Sequence, residues 1–344
     1  MARTAPEPLG SPLPLAAAPM AGGATTPRLA AAVAEAGAFA FLAGGYKTPE
    51  ALAAEIAEVR RTGAAFGVNL FAPGTTEIDD ADLRRYAREL QPEAERYGLD
   101  LSQATPVHDD DQWADKLDLL LADPVPVVSV TFGLPRPAEV AALRRAGSQV
   151  LVTVTTVEEA QAAADVGADA LVVQGSSAGG HSGTHDPLRP ITETPTAELT
   201  RGVVATTGLP VIAAGGVDGP RAVAELLAAG ASAVAVGTLL LRTDESGASR
   251  THKDALADPQ FPDTVITRAF TGRPARSLRN RFADRYSATG PAGYPAVHHL
   301  TRALRQAAAA AGDPHGLHLW AGTGFRSATT GPARAVVDRL AEFL

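Results

Sequence analysis

The sequence predicts an α/β fold, a (β/α)8 TIM barrel carrying a second, smaller and mainly helical segment or cap. Short apolar runs of strand length alternate with alanine-rich stretches of helical length, which is the mark of repeated βα units and a parallel sheet. Eight such runs occur, and closing eight parallel strands into a barrel removes the edges an open sheet would expose. The chain has 344 residues. A barrel takes about 250, so roughly a hundred residues must be housed outside it.

In chain order the strands are expected over Leu13–Ala18, Ala38–Leu42, Ala65–Phe71, Val125–Phe132, Gln149–Thr155, Ala168–Gln174, Pro210–Ala214 and Ala233–Val236. Thr26-Pro27 precedes the helix Arg28–Ala36, Thr48-Pro49 precedes Glu50–Arg61, and Asp218-Gly219-Pro220 precedes Arg221–Ala229. Each places a capping oxygen ahead of a proline near the helix start. Ala-Gly-Ala at 36–38 and 229–231 and Val-Gly-Ala at 166–168 stop helices with glycine, and the next strand begins at once. Two segments fall outside this series. Residues 73–124 follow the third strand and contain helical Asp80–Tyr97 and Trp113–Leu121. Residues 259–344 contain helical Val297–Ala311 and Gly331–Leu344. The first leaves the barrel at its C-terminal face, so the two are expected to form one cap over a barrel of 1–72 and 125–258.

Composition removes several function classes. A formal charge of -8 offers no basic stripe for a phosphate backbone, which argues against nucleic acid as a partner. Without cysteine there is no disulfide, thiolate metal site, iron–sulfur cluster or cysteine nucleophile. The apolar stretch from Pro12 to Ala24 is broken by Pro14 and Pro19, has only Arg3 upstream and is too short to span a membrane. It reads as a barrel strand in a cytoplasmic protein with no membrane partner. A signal peptide cleaved among Ala16–Ala18 is the competing reading, and it would remove the first strand of a regular series.

In a barrel the chemistry sits where strands end. Here those positions are rich in glycine: Met20-Ala21-Gly22 after the first strand, Gly179-Gly180 after the sixth, Gly215-Gly216 after the seventh and Gly237-Thr238 after the eighth. Glycine lets backbone N–H groups approach an anion, and the helices that follow aim their positive ends there, so a phosphate site is expected. A lone glycine pair would mean only a tight turn. Met20 offers a polarizable side chain to a flat heterocycle, and the amides of Asn69 and Gln174 can donate and accept at its edge or at a substrate, although either amide could simply fill a turn. His181 follows the glycine pair at the end of strand six and should project into the active-site mouth as a base or, protonated, as partner to an anion. The bland alternative is a histidine that packs or caps its loop. His181, His185 and Asp186 also make a loose metal set, disfavoured because glycine and proline break any helix there, so no metal is expected.

The pieces APMAGG at 18–23 with TPRLAAAVAEAG after it, GVNLF at 67–71, VVSVTFGLP at 127–135, DALVVQGSSAGGHSG at 169–183, VIAAGGV at 211–217 and AVAVGTLLL at 233–241 together resemble the nitronate monooxygenase family, formerly called 2-nitropropane dioxygenases. The resemblance covers nearly the whole chain. It implies FMN held without a covalent bond and oxidation of an alkyl nitronate, or a nitroalkane, by O2 to a carbonyl compound and nitrite. It also implies that Met20, Ala21, Gly22, Asn69, Gln174, Gly179, Gly216, Gly237 and Thr238 contact the flavin and that His181 is the catalytic histidine. Ser182 stands where many members carry arginine, a departure that bears on substrate anion recognition.

Two other readings compete. One is a flavin-dependent NAD(P)H reductase of the enoyl-ACP-reductase or quinone-reductase type. The other is a flavin-binding barrel without catalysis. Inosinate-dehydrogenase-like chemistry is excluded because its nucleophilic cysteine is missing. Specificity is expected from Phe71, Phe132, Ser182 and the two outer segments. His298-His299 and His315–His318 read as surface residues, Asp109–Asp111 as a solvated turn, and Arg326 and Ser327 as groups within reach of phosphate or substrate. Oligomeric state, a homodimer included, stays open.

Overall fold

The computed structural model describes residues 9–74 and 77–344. Arg3 falls outside them. Eight parallel strands close a barrel: β1 (Leu15–Ala17), β2 (Phe39–Ala43), β3 (Phe66–Phe71), β4 (Val127–Thr131), β5 (Gln149–Val154), β6 (Ala170–Gln174), β8 (Val211–Ala214) and β9 (Ala233–Val236). Closure comes from β9 pairing with β1, Val236 opposite Ala17. The skipped strand, β7 (Gly180–His181), leaves the barrel and pairs antiparallel with β11 (Ala275–Leu278), which in turn pairs with β10 (Thr264–Thr267). The outer segment therefore carries a three-stranded sheet as well as helices.

Alternation along each strand sorts the core into two layers. Phe39 and Phe41 point into the barrel with Val127, Leu151 and Ile212, while Ala40 and Leu42 face the surrounding helices. Gly67 leaves room for Phe41: a Cβ there would stand 2.6 Å from its ring.

The helices are α1 (Pro27–Glu35), α2 (Pro49–Arg60), α3 (Asp80–Glu95), α4 (Trp113–Ala122), α5 (Pro137–Ala146), α6 (Val157–Asp165), α7 (Thr196–Thr207), α8 (Pro220–Ala228), α9 (Arg250–Ala255), α10 (Arg281–Tyr286), α11 (Ala296–Ala310) and α12 (Ala333–Leu340). Thr26 and Thr48 cap α1 and α2 as expected, accepting from Leu29 N and Ala51 N. Asp218 does not cap α8; Gly219 holds that position with no side-chain hydrogen bond. The glycine stops adopt left-handed backbone at Gly37, Gly167 and Gly230 (φ +89°, +93° and +101°).

The two outer segments do not remain outside. Helix α4 packs between α2 and α5, burying Trp113, Leu117 and Leu120 in the same core as Leu52 and Ile56. At the far end of the chain α12 packs between α8 and α1 through Val336, Val337 and Leu340. These two complete the outer ring of eight barrel helices, made of α1, α2, α4 to α8 and α12. What stands over the barrel mouth is α3 with α10 and α11, joined by Leu83, Tyr86, Leu90, Phe270, Phe282 and Val297. Among the described residues no helix is long and apolar enough to cross a membrane.

Candidate active site

The C-terminal ends of the barrel strands and the overlying helices enclose a cavity of about 850 Å³, within the usual range for ligand sites of roughly 300–1,000 Å³. Met20, Ala21, Gly22, Asn69, Gln174, Gly179, Gly180, His181, Gly215, Gly216, Gly237 and Thr238 all line it. Residues spread over more than two hundred positions meet there because every βα unit returns its strand end to the same face.

One wall is almost entirely backbone. Gly215 and Gly216 have φ of +112° and +79°. A Cβ on Gly179 would lie 2.5 Å from the Gly322 nitrogen, and one on Gly216 would lie 2.8 Å from Ser177 Oγ. Gly322 N–H donates to Thr238 Oγ1 (2.9 Å) and Thr323 N–H to the Ser177 carbonyl (3.0 Å), so a loop from the C-terminal segment closes this wall. Helix α8 begins directly after it at Pro220 and directs its positive end toward the cradle. Arg326, by contrast, turns away and donates to the Phe261 carbonyl at 2.8 Å. The Ser327 carbonyl accepts from Arg339.

The two amides differ in what they leave free. Asn69 Nδ2 donates to Ser129 Oγ and Thr131 Oγ1, both at 2.9 Å, so Oδ1 is the atom left for a ligand. Gln174 uses both ends on its own loop: Nε2 donates to the His181 carbonyl (3.0 Å) and Oε1 accepts from Gly183 N (2.6 Å). It thereby clamps the turn that presents the histidine.

His181 is held from both sides. In β7 it sits opposite Ala275, and its ring is ringed by Trp320, Phe132 and Tyr294 at centroid distances of 5.2, 5.7 and 5.9 Å. Nε2 lies 2.9 Å from Thr271 Oγ1, and that hydroxyl in turn has the Arg273 carbonyl as its acceptor at 3.4 Å. This chain assigns the proton to Nε2 and leaves Nδ1 with its lone pair. Burial, then the positive charges of Arg273 and Arg305, push the imidazole pKa down to about 3. The ring is thus uncharged at neutral pH.

Several residues read as surface belong to this cavity. His298 is buried, stacked on Tyr46 at 4.4 Å and 4°, and burial followed by Arg305 pushes its pKa to about 2. His318 also lines the cavity, while His299 pairs with Asp109 at 3.0 Å on the rim. The 109–111 turn is not simply solvated. Asp111 accepts from Tyr46 N (2.8 Å) and pairs at 2.7 Å with Lys116, whose side chain is 1% exposed. Among the described residues those with left-handed backbone other than glycine are Tyr46, Asp111, Gln112 and Phe132, and all four line the cavity, so backbone strain is concentrated there. Ser182 faces a smaller neighbouring hollow instead, and its carbonyl accepts from Arg273. His185 is turned to the Thr153 carbonyl at 3.0 Å.

Comparison with known proteins bears on this geometry. The sequence profile described as nitronate monooxygenase matches residues 12–342. Probable nitronate monooxygenases of Staphylococcus aureus strains Newman and MRSA252 are each 36% identical over 335 residues, covering 95% of this chain and 93% of theirs. Among solved structures, nitroalkane oxidase from Streptomyces ansochromogenes is 48% identical with a TM-score of 0.90, covering 96% of this chain and 95% of that one. FabK from Thermotoga maritima is 26% identical with a TM-score of 0.75, covering 98% and 94%.

Proposed function

The chain belongs to the nitronate monooxygenase family and is a flavin-dependent oxidoreductase acting on small molecules, and from that premise we propose that it binds FMN and oxidises alkyl nitronates, or nitroalkanes, by O2 to a carbonyl compound and nitrite. The observation that carries this reading is an uncharged, desolvated histidine facing the same cavity as a cradle of backbone with no room for side chains.

The residues fit FMN. Gly179, Gly180, Gly215, Gly216, Gly237 and Thr238 would hold the phosphate through backbone N–H groups at strand ends, and Met20, Ala21, Gly22 and Asn69 would lie along the ring system. Bound there, the flavin supplies the electron acceptor that the chemistry needs. His181 Nδ1 takes the α-proton of a neutral nitroalkane; a nitronate arrives without that proton, and the histidine then only orients it. Phe132, Trp320 and Tyr294 keep water from the reacting carbon.

Anaerobic stopped-flow absorbance of the FMN-loaded protein, mixed separately with an alkyl nitronate, a neutral nitroalkane and NADH, tests the reading. Flavin bleaching or a radical spectrum with the nitronate and a slow response to NADH is the expected result. Fast bleaching by NADH with the nitronate silent would replace it with a reductase, and inertness toward all three with a non-catalytic barrel.

A further inference from the structure

We infer that Arg305 and His298 form the subsite for a planar, two-oxygen anion on the substrate, which rests on the reading of this cavity as a nitronate site. Arg305 projects from α11, is 6% exposed and lines the cavity. No carboxylate is among the groups that act on it. Its guanidinium is held by neutral acceptors: Nε donates to Thr301 Oγ1 (3.1 Å), Nη1 to His318 Nε2 (3.3 Å), and Nη2 to both the His298 carbonyl (2.9 Å) and His298 Nδ1 (3.2 Å). An arginine has five N–H groups. The second one on Nη1 therefore has no acceptor among the described residues.

The same contacts decide what His298 offers. Because guanidinium only donates, Nδ1 must accept and Nε2 must carry the proton. No described residue accepts from that Nε2–H. Two donors, one charged, thus remain beside the Tyr46 ring and near His181, which feels the Arg305 charge, while the carboxylates that line the cavity are engaged elsewhere, Asp109 with His299 and Asp111 with Lys116. A buried cation without a counter-ion is costly, and an oxyanion ligand offsets the cost while a neutral ligand does not. The guanidinium fork matches two oxygens in one plane.

Nitronate and carboxylate share this chemistry, so the anion is either the reacting head of the substrate or an acidic tail. Nitrate serves as the probe. It is titrated into FMN-loaded protein and followed by the flavin difference spectrum and by tryptophan fluorescence, in wild type, Arg305→Met and Arg305→Lys. Expected is saturable nitrate binding that weakens at least tenfold in the Met variant and recovers in part with Lys, at unchanged flavin content. Nitrate affinity unchanged in the Met variant overturns the subsite, whether or not the flavin potential shifts. Should the Met variant fail to fold, the Lys variant decides: the fork predicts several-fold weaker nitrate, and an unchanged constant rejects it. Steady-state kcat/KM for a simple alkyl nitronate and for one bearing a carboxylate then separates the sources. Equal losses in both assign the head, and a loss confined to the second assigns the tail. Because nitrate binding needs no turnover, a protein that binds it through Arg305 yet oxidises no nitronate would lose the proposed reaction and keep the subsite.

Discussion

His181 gains its chemistry from what surrounds it. A histidine on an open loop would be half-charged near pH 6.5 and would lose its force as a base below that. Here burial and the charges of Arg273 and Arg305 push its pKa down to about 3, which keeps the lone pair free at neutral pH while lowering its intrinsic basicity below that of a free imidazole. The Thr271 hydroxyl, itself directed at the Arg273 carbonyl, selects which nitrogen is bare. The proposed role is proton removal, which separates two substrates that differ by one proton. His181→Gln is expected to lower turnover of a neutral nitroalkane by roughly 10²–10⁴-fold, the usual worth of a general base, and to affect the matching nitronate far less. Measuring both on the same flavin-replete variant checks this, and equal losses would make the histidine a packing residue. The bareness of this nitrogen was not legible in the sequence, because Thr271 lies ninety positions away. His298 and Arg305 did leave a trace. Together with Thr301 they recur at three and four residues on one face of α11, the face that packs inward. Polar residues at that spacing ordinarily mark a solvated face, so the trace pointed to the surface and only the packing of α11 over the barrel mouth turns it inward.

At the scale of elements, the cradle depends on three segments approaching as bare backbone: the turn between β6 and β7, the end of β8, and the loop at Gly322. Gly179→Ala would set a methyl group 2.5 Å from the Gly322 nitrogen, where neither segment can yield cheaply. Gly219→Ala, at the cap of α8, meets nothing within 4 Å and sits in extended backbone that any residue adopts. The first variant is therefore expected to purify with little flavin and the second with a full complement, as read from the ratio of flavin to protein absorbance. Retention of flavin by the first would place the phosphate elsewhere. The glycines themselves were legible, since pairs at successive strand ends stand out in any barrel. Gly322 was not, because nothing local marks a C-terminal loop as the partner of the sixth strand's turn. The eight strands were legible for the same reason that α4 and α12 were misplaced. Apolar runs announce strands one at a time, whereas membership of a helix in the ring or in the cap is decided by the packing of α4 on α2 and of α12 on α1, which puts Leu120, Leu52, Leu340 and Val33 in one core. Strands β10 and β11, four residues each, are too short to rise above their surroundings.

Across the whole molecule β7, α9 and the C-terminal segment together lay a layer of uncharged imidazoles over the barrel mouth, and this ties stability to pH in a defined window. Burial lowers the pKa of His181 to about 3, of His252 to about 4 and of His298 to about 2, and takes His318 well below its ordinary value. In the unfolded chain each returns to about 6.5. Between those limits the unfolded state binds more protons than the native one, so stability is full about one pH unit above 6.5 and declines as pH falls through it. At pH 5.5 the loss is roughly 1 kcal/mol for each group. Carboxylates such as Glu159 and Asp313, whose pKa values are lowered, lose their contribution only below about 4, so from pH 6.5 down to about 5 the imidazoles act alone and below that the two losses add. Guanidinium denaturation of the FMN-loaded protein at pH 7.5, 6.5, 5.5 and 5.0 reads this directly. The midpoint is expected to begin falling between 7.5 and 6.5, where each unfolded imidazole reaches half protonation, and then to fall more steeply with a slope approaching four protons, at constant m-value. His318→Gln, which removes one of these imidazoles behind Arg305, should make that slope shallower by about one proton. A midpoint flat to pH 5.0 would mean that water reaches these rings in the native protein, and with it the neutral base and the bare anion subsite would both fail.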